Sequence, residues 1–349
     1  MTAAPRVAAV IVHYGDPAPT RRCLDSLDGI DEVILIDQPP RLCGAHPRVT
    51  TRLEQDRNIG FAAACNRGVE ATEAPFVLLL NNDAVLEAGA GRMLRVALPF
   101  LAPEIAGVCL KLLCMDGVTL QSAGGLWFTR DGIGFPRGFG EVDRGQYDAI
   151  AEDAVGVPSG AAALYRRDAW MQVGGMSEEF FCYCEDGDIG LRLVALGHRF
   201  AWLPQVRARH ELSSSSGAHS AFKAFLVERN HFATMMHTAP LSVLVALPLL
   251  TLVRIARAAL DATRGRGAGG GLVRTASPAA LVTLLLRAWT GALRMVSVAM
   301  KRRSELRRLR PDAIRRVGRF LAARRVRFSQ FAQARDLRPN GKHESTSIR

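Results

Sequence analysis

Val7-Ala8-Ala9-Val10-Ile11-Val12-His13 is an unbroken apolar run rich in Val and Ile, ending at Gly15 and Asp16. A run without alternation reads as a parallel strand buried on both faces. Pro17–Leu27 then places Cys23, Leu24 and Leu27 at helical spacing, and a second strand is expected at Glu32–Asp37, stopped by Pro39 and Pro40. Asn58–Thr72 carries small apolar residues at helical spacing, and Phe76–Leu80 is a third strand ending in Asn81-Asn82-Asp83. Strand and helix alternating from the start predict a doubly wound α/β sheet. In such sheets the polar residues past the carboxyl ends of strands line the ligand crevice. Here those residues are His13 to Asp16, Asp37, and Asn81 to Asp83.

From about residue 104 to 150 the pattern loosens, and Gly-rich pieces such as Gly124-Gly125 predict loops and hairpins over the crevice mouth. Order returns with a small-residue strand at Ser159–Tyr165. Ile189–Leu196 reads as a helix capped by Gly197, Phe200–Leu203 as a last strand, and His210 lies a few residues beyond it.

Charge divides the chain. Of its 349 residues, positions 1–253 hold 22 Lys and Arg against 28 Asp and Glu, whereas 254–349 hold 23 against 5. The excess of +12 therefore comes from the last quarter. The hydrophobic fraction of 48% is enough to fill a core and excludes wholesale disorder. Seven cysteines, an odd number without a C-x-x-C pair, argue against a disulfide framework and a thiolate zinc site. The short apolar run at Val7–Val12 leads into polar residues, unlike a signal peptide, and a reducing compartment is expected.

Two acidic spots could carry chemistry. Asn81, Asn82 and Asp83 offer oxygen ligands at a strand end, as a hard divalent cation holding a diphosphate requires; a magnesium-type ion needs only one or two carboxylates when phosphate and water complete its shell. Glu185-Asp186-Gly187-Asp188 places three carboxylates within four residues. They suit a helix N-terminus, with Asp188 reaching Arg192 at i+4. They also suit a general base, because Phe180, Phe181 and Tyr183 would partly desolvate them and raise their pKa. His210 could ligate the cation or contact a phosphate if its strand returns to the same edge.

These residues carry a resemblance. Val10-Ile11-Val12-His13-Tyr14, Asn58-Ile59-Gly60-Phe61-Ala62 with Asn66 and Gly68, and Leu79-Leu80-Asn81-Asn82-Asp83 resemble the N-terminal motifs of family 2 glycosyltransferases, in particular the bacterial rhamnosyltransferase-like branch. Ser159-Gly160-Ala161, Gly174-Gly175-Met176, Phe180-Phe181 with Glu185-Asp186 and Asp188, then Arg192, Gly197, Pro204, His210 and Arg229-Asn230 resemble its second half, in order. The resemblance implies a GT-A fold over residues 1–240, with a Rossmann-like nucleotide-binding half and an acceptor half. It also implies a nucleotide-diphosphate sugar donor (dTDP- or UDP-linked), a Mg²⁺ or Mn²⁺ cofactor and inversion at the anomeric carbon. Carried over, His13, Tyr14, Asp16 and Asp37 would contact base and ribose, while Asn58, Gly60 and Asn66 would shape the nucleotide pocket, with Asn81 and Asn82 beside them. Asp83 would bind the metal with His210. Asp186 would be the general base, with Glu185 and Asp188 as supporting acids. The chain departs from the family pattern at Asn81, where an acid is usual, and at Gln38-Pro39-Pro40.

Leu241–Val253 is an uncharged run of 13 residues, short for a bilayer span. Pro278–Met300 holds Arg287 and Arg294 on one helical face, which suits a helix lying in an interface. Gly265–Gly271 is a flexible break. From Leu306 to Leu321 apolar residues recur at i+3 and i+4 with arginines on the other face, and residues 301–349 hold 16 Lys and Arg against 4 Asp and Glu. Such a helix suits anionic lipid; nucleic acid is the disfavoured partner, because the preceding apolar helices have no place in a nucleic-acid tail. The expectation is a membrane-associating region at 241–335 and a disordered tail at 336–349. The reading is an enzyme on the cytoplasmic face of a bacterial inner membrane, acting on a glycan or lipid-linked acceptor. A nucleotidyltransferase, which usually shows a Gly-rich phosphate loop after strand one, and a catalytically silent scaffold are the alternatives.

Overall fold

The computed structural model describes residues 4–40, 43–211, 221–263 and 277–326. Its strands are β1 (Val7–His13), β2 (Glu32–Asp37), β3 (Thr51–Glu54), β4 (Phe76–Asn81), β5 (Ala84–Leu86), β6 (Ile105–Leu113), β7 (Leu120–Ser122), β8 (Leu126–Phe128), β9 (Gly134–Pro136), β10 (Ala162–Arg166) and β11 (Arg199–His210). The helices are α1 (Pro17–Asp25), α2 (Phe61–Glu70), α3 (Ala90–Ala97), α4 (Arg167–Gln172), α5 (Glu185–Leu196), α6 (Ala221–Thr238), α7 (Leu241–Thr263), α8 (Pro278–Leu293), α9 (Val296–Leu309) and α10 (Ala313–Ala323).

The main sheet runs β3-β2-β1-β4-β10-β6-β11-β5, with β7 beside β6. Strands β3, β2, β1 and β4 are parallel, and β10 runs antiparallel between β4 and β6. The expected doubly wound mixed sheet is present. Strand β1 shows why its apolar run does not alternate. Ala8, Val10 and Val12 enter the core under α2, whereas Val7, Ala9 and Ile11 enter the opposite core with Cys23 and Leu24 of α1.

Three expectations are corrected. The stretch expected to be loops and hairpins contains β6, nine residues long and buried throughout, at the centre of the sheet. Gly107 and Lys111 broke its apolar pattern. A Cβ at Gly107 would stand 2.9 Å from the Leu164 carbonyl oxygen, so the close approach of β10 excludes a side chain there. Lys111 is buried because Asp143 and Asp148 accept its hydrogen bonds, at 2.9 and 2.5 Å. Likewise β11 does not end before Pro204. The register slips between Leu203 and Arg207, which sets the missing proline N–H in a bulge, and the strand continues to His210.

The C-terminal helices pack against this body, and α7 does so along one face. Leu247, Thr251 and Arg254 are buried, while Leu241, Val245 (76% exposed) and Leu249 face outward. Arg254 is held between Asp131 (2.6 Å) and Glu228 of α6 (2.8 and 2.9 Å). The amphipathic helix expected from Leu306 to Leu321 is broken at Arg310-Pro311. Its apolar half, α10, faces inward: Ala313 and Val317 are buried, and Phe320 meets Phe128 edge-on at 6.3 Å. That face is therefore filled by protein rather than offered to lipid. The expected Gly265–Gly271 break and the 336–349 tail lie outside the described residues.

Candidate active site

Strand ends build the first spot. Asp83 follows β4, and His210 closes β11 where it pairs with Ala84. These two residues, 127 positions apart, meet with Asp83 Oδ1 at 3.1 Å from His210 Nε2. The Gln121 amide donates to the His210 carbonyl (2.5 Å) and turns its oxygen to Nδ1 (2.8 Å). With Nδ1 engaged by the Gln121 oxygen, Nε2 is the ring nitrogen turned to the Asp83 carboxylate. An imidazole nitrogen and a carboxylate oxygen aimed at one point suit a shared cation. The Asn81 amide stands 3.2 Å from the same nitrogen. Among the described residues no group of three or more His, Cys, Asp and Glu could hold a metal, so at this pair two protein ligands would leave most of an ion's shell to phosphate and water.

Beside it, Asn82 donates to Thr20 Oγ1 (3.0 Å), which lies 2.7 Å from His13 Nδ1. His13 and Asp37 come together at the paired ends of β1 and β2, but both side chains are fully buried. Arg52 forms an ion pair with Asp37, and burial lowers the His13 pKa, keeping the ring neutral. The expected direct contact of these two side chains with base and ribose is thus not preformed, because both are buried and Arg52 pairs with Asp37. Tyr14 and Asp16 are exposed at this edge, and Asp16 caps α1 by accepting from Ala18 N (2.9 Å). Asn58 accepts from Gly60 N (2.9 Å). Gly60, at φ +83°, lies where a Cβ would stand 2.5 Å from the Phe181 carbonyl oxygen. Asn66 is a brace rather than a pocket wall. Its amide exchanges hydrogen bonds with Met176 N (2.8 Å) and Met176 O (2.9 Å), tying α2 to the second half.

The second spot is the first turn of α5. Asp186 accepts from Gly160 N (2.9 Å) and from Gly187 N (2.7 Å). Asn81 N in turn donates to Ala161 O (3.0 Å), and Ala162 pairs with Leu80. The loop before β10 therefore touches both the end of β4 and Asp186, so the two acidic spots share one sheet edge. Glu185 is buried, and burial with the neighbouring Asp186 charge pushes its pKa up to about 8. Burial also raises Asp186, opposed by the backbone N–H groups of Gly160 and Gly187. At neutral pH Glu185 keeps its proton, while the two backbone N–H groups favour the ionised form of Asp186.

Asp188 is corrected. Arg192 (2.8 Å), His237 (2.5 Å) and the Ser177 hydroxyl (2.6 Å) consume its fully buried carboxylate. Despite burial, these partners hold its pKa well below the usual carboxylate range. It locks α5 onto α6 and has no free oxygen to support Asp186.

The turn before Glu185 is strained. Phe181, Tyr183 and Cys184 have φ of 65°, 70° and 66°, each costing on the order of 1 kcal/mol in a non-glycine residue. Asn230 and Arg229 of α6 hold it through its carbonyls. Sequence reasoning noted this pair without its role, and the only signal was its place after the acidic motif. Gln121 left no signal at all.

A family model described as glycosyltransferase like family 2 matches residues 41–236. Over 67 residues, 19% of the chain, the sequence is 40% identical to the N-acetylglucosaminyl-diphospho-decaprenol L-rhamnosyltransferase of Mycobacterium tuberculosis (strain ATCC 25618 / H37Rv), and the match spans 22% of that protein. S. aureus TarS 1-349 in complex with UDP superimposes with a TM-score of 0.50 at 12% identity, over 91% of this chain and 90% of that one. GalNAc-T7 with UDP, GalNAc and Mn²⁺ gives 0.50 at 12% identity, over 68% and 48%. At these identities the two structures speak to the fold, which is GT-A. The family match covers more than half of the sequence, and with the ordered strand-end motifs it assigns this chain to glycosyltransferase family 2.

Proposed function

We propose that the chain is an inverting glycosyltransferase that moves a sugar from a nucleotide-diphosphate donor to a hydroxyl of a cell-envelope glycan or lipid-linked acceptor. One observation carries this reading: the loop at Gly160-Ala161 bonds both to Asp186 and to the strand that delivers Asp83. The acceptor hydroxyl, with a pKa far above 7, gives its proton to Asp186 as its oxygen attacks the anomeric carbon and the bond to the diphosphate breaks. Gly160 and Gly187 hold the Asp186 carboxylate for that transfer, and its raised pKa makes it a stronger base. A Mg²⁺ or Mn²⁺ ion, held by Asp83 and His210, would offset the charge growing on the leaving diphosphate. The Mn²⁺ bound in GalNAc-T7 supports this, and the short match to a rhamnosyltransferase supports L-rhamnose on dTDP as the first donor to test.

The exposed stripe of α7 supports attachment to a membrane. Leu241–Leu260 has a mean hydropathy of 2.0 and the length to cross a bilayer. Its docked face, fixed by Arg254, would instead lay it along the interface, with exposed Arg307, Arg308, Arg315 and Arg319 available to anionic headgroups on the cytoplasmic side. Release of nucleoside diphosphate from dTDP-rhamnose and UDP-sugars, with Mn²⁺ or with chelator, tests the activity. Metal-dependent release is expected, and no release from any nucleotide sugar would sink it. Replacing Val245 and Leu249 with Ser should weaken binding to anionic vesicles at least about tenfold, given roughly 1.5–3 kcal/mol per buried aliphatic side chain; unchanged binding would remove α7 from the membrane account.

A further inference from the structure

Three of the four residues from Phe181 to Cys184 hold a left-handed backbone without being glycine. Phe181, at φ 65° and ψ −61°, closes a tight three-residue turn in which Cys182 N donates to Phe180 O (2.7 Å). Such a backbone persists only where its surroundings over-determine it. The side-chain amide of Asn230, fully buried on α6, donates to the carbonyls of Phe180 (3.0 Å), Cys182 (2.9 Å) and Tyr183 (2.8 Å). Arg229 orients that amide by donating to its oxygen (2.9 Å) and itself donates to Glu179 O (3.1 Å) and Phe180 O (2.9 Å). The next residues are Glu185 and Asp186, and the Cys184 carbonyl accepts from Asp188 N (2.9 Å), closing the first turn of α5.

We infer that Asn230 is a positioning residue: it clamps the left-handed turn so that α5 starts where Asp186 meets Gly160. The inference rests on the reading of Asp186 as the base. A change at Asn230 takes this donor from the Cys182 and Tyr183 carbonyls and leaves Phe180 O to Arg229 and Cys182 N, the turn relaxes toward negative φ, and the carboxyl pair shifts and takes up water. A displacement of about 1 Å at a reacting group costs on the order of a hundredfold in rate.

The test uses the full chain, with nucleoside diphosphate released from dTDP-rhamnose in Mn²⁺ as the probe of turnover. Asn230→Ala should lower kcat by about a hundredfold while KM for the donor stays within about twofold. The acidic limb of the kcat–pH profile should move to lower pH as the pair hydrates. The other titratable groups facing this pair have partners of their own. Asp188 is ionised against Arg192 and His237, Glu228 is held by Arg254, and Lys223 lies over the Tyr183 ring. Burial keeps the Cys65, Cys182 and Cys184 thiols and the Tyr165 phenol protonated. Adding Cys184→Gly, which accepts positive φ freely, should recover part of the lost rate. Independently of turnover, iodoacetamide should label Cys182 and Cys184 faster in Asn230→Ala, read by peptide mass mapping. A folded Asn230→Ala protein with wild-type kcat, pH limb and thiol labelling overturns the clamp. Wild-type turnover in Asp186→Asn overturns the base assignment instead, and the labelling result still decides the clamp.

Discussion

Asp83 and Asp186 lie at one sheet edge, yet their surroundings set them to different work. Asp83 faces the His210 imidazole at a regular strand end, an arrangement that suits a cation between the two. Among the described residues Asp186 meets backbone N–H groups alone, next to a carboxyl that burial keeps protonated, on a helix entered through a strained turn. Asp188, on the same helical turn, is enclosed by counter-charges. Residue type did not separate the three acids; their partners did. On the proposed reading the acid enclosed by cations holds structure, the acid beside the His210 imidazole would take the metal, and the acid held by backbone N–H groups would take the proton.

Substitution can break this comparison, and the largest effect belongs to Asp186. Asp186→Asn should lower kcat by about 10²–10⁴-fold, the usual worth of a general base, with nucleotide affinity nearly unchanged by calorimetry. Turnover close to wild type would remove it from the base role. Next comes Asp188→Asn, which leaves Arg192 buried without its carboxylate and should destabilise the fold by about 3–5 kcal/mol in denaturant titration. An effect below 1 kcal/mol would show that its ion pairs are not what joins α5 to α6.

The two buried acids also predict opposite pH slopes. Asp188 has a depressed pKa, so its stabilisation is present above the ordinary carboxylate range and is lost as pH falls. Glu185 has a raised one, so the folded state holds a proton the unfolded chain has released, and stability declines from about pH 4.5 to about 8. Glu185→Gln should remove that decline, gaining on the wild type toward pH 8 in melting scans; parallel curves for the two proteins would contradict the assignment. The smallest effect is at Gln121, which orients His210. Gln121→Ala should weaken Mn²⁺-dependent nucleotide binding by about 10–100-fold without changing binding in chelator.

Much of the nucleotide half was legible because its central strands are buried on both faces and show as continuous apolar runs, as β1 and β4 do. Their ends could then be found by inspection, and the sheet brings Asp83 and His210 together as expected. What escaped depended on partners distant in the chain. Strand β6 hid behind Gly107 and Lys111, whose reasons are a carbonyl of β10 and two acids some 30 residues on. Asp188 looked like one more acid of a cluster because His237 lies 49 residues away. The burial of Asp37 depends on Arg52 from the neighbouring strand. The tail was read as one amphipathic helix for lipid, and nothing local shows that α10 turns its apolar face to Phe128.

The shared edge is tested most directly by crystals grown with a nucleoside diphosphate and Mn²⁺, using anomalous scattering to locate the metal. One peak is expected within coordinating distance of both Asp83 and His210 Nε2, bridged to the diphosphate, with the space before Asp186 and Gly160 left open for a sugar and its acceptor. A metal bound away from Asp83, or a diphosphate seated where Asp186 cannot reach the anomeric carbon, would contradict it.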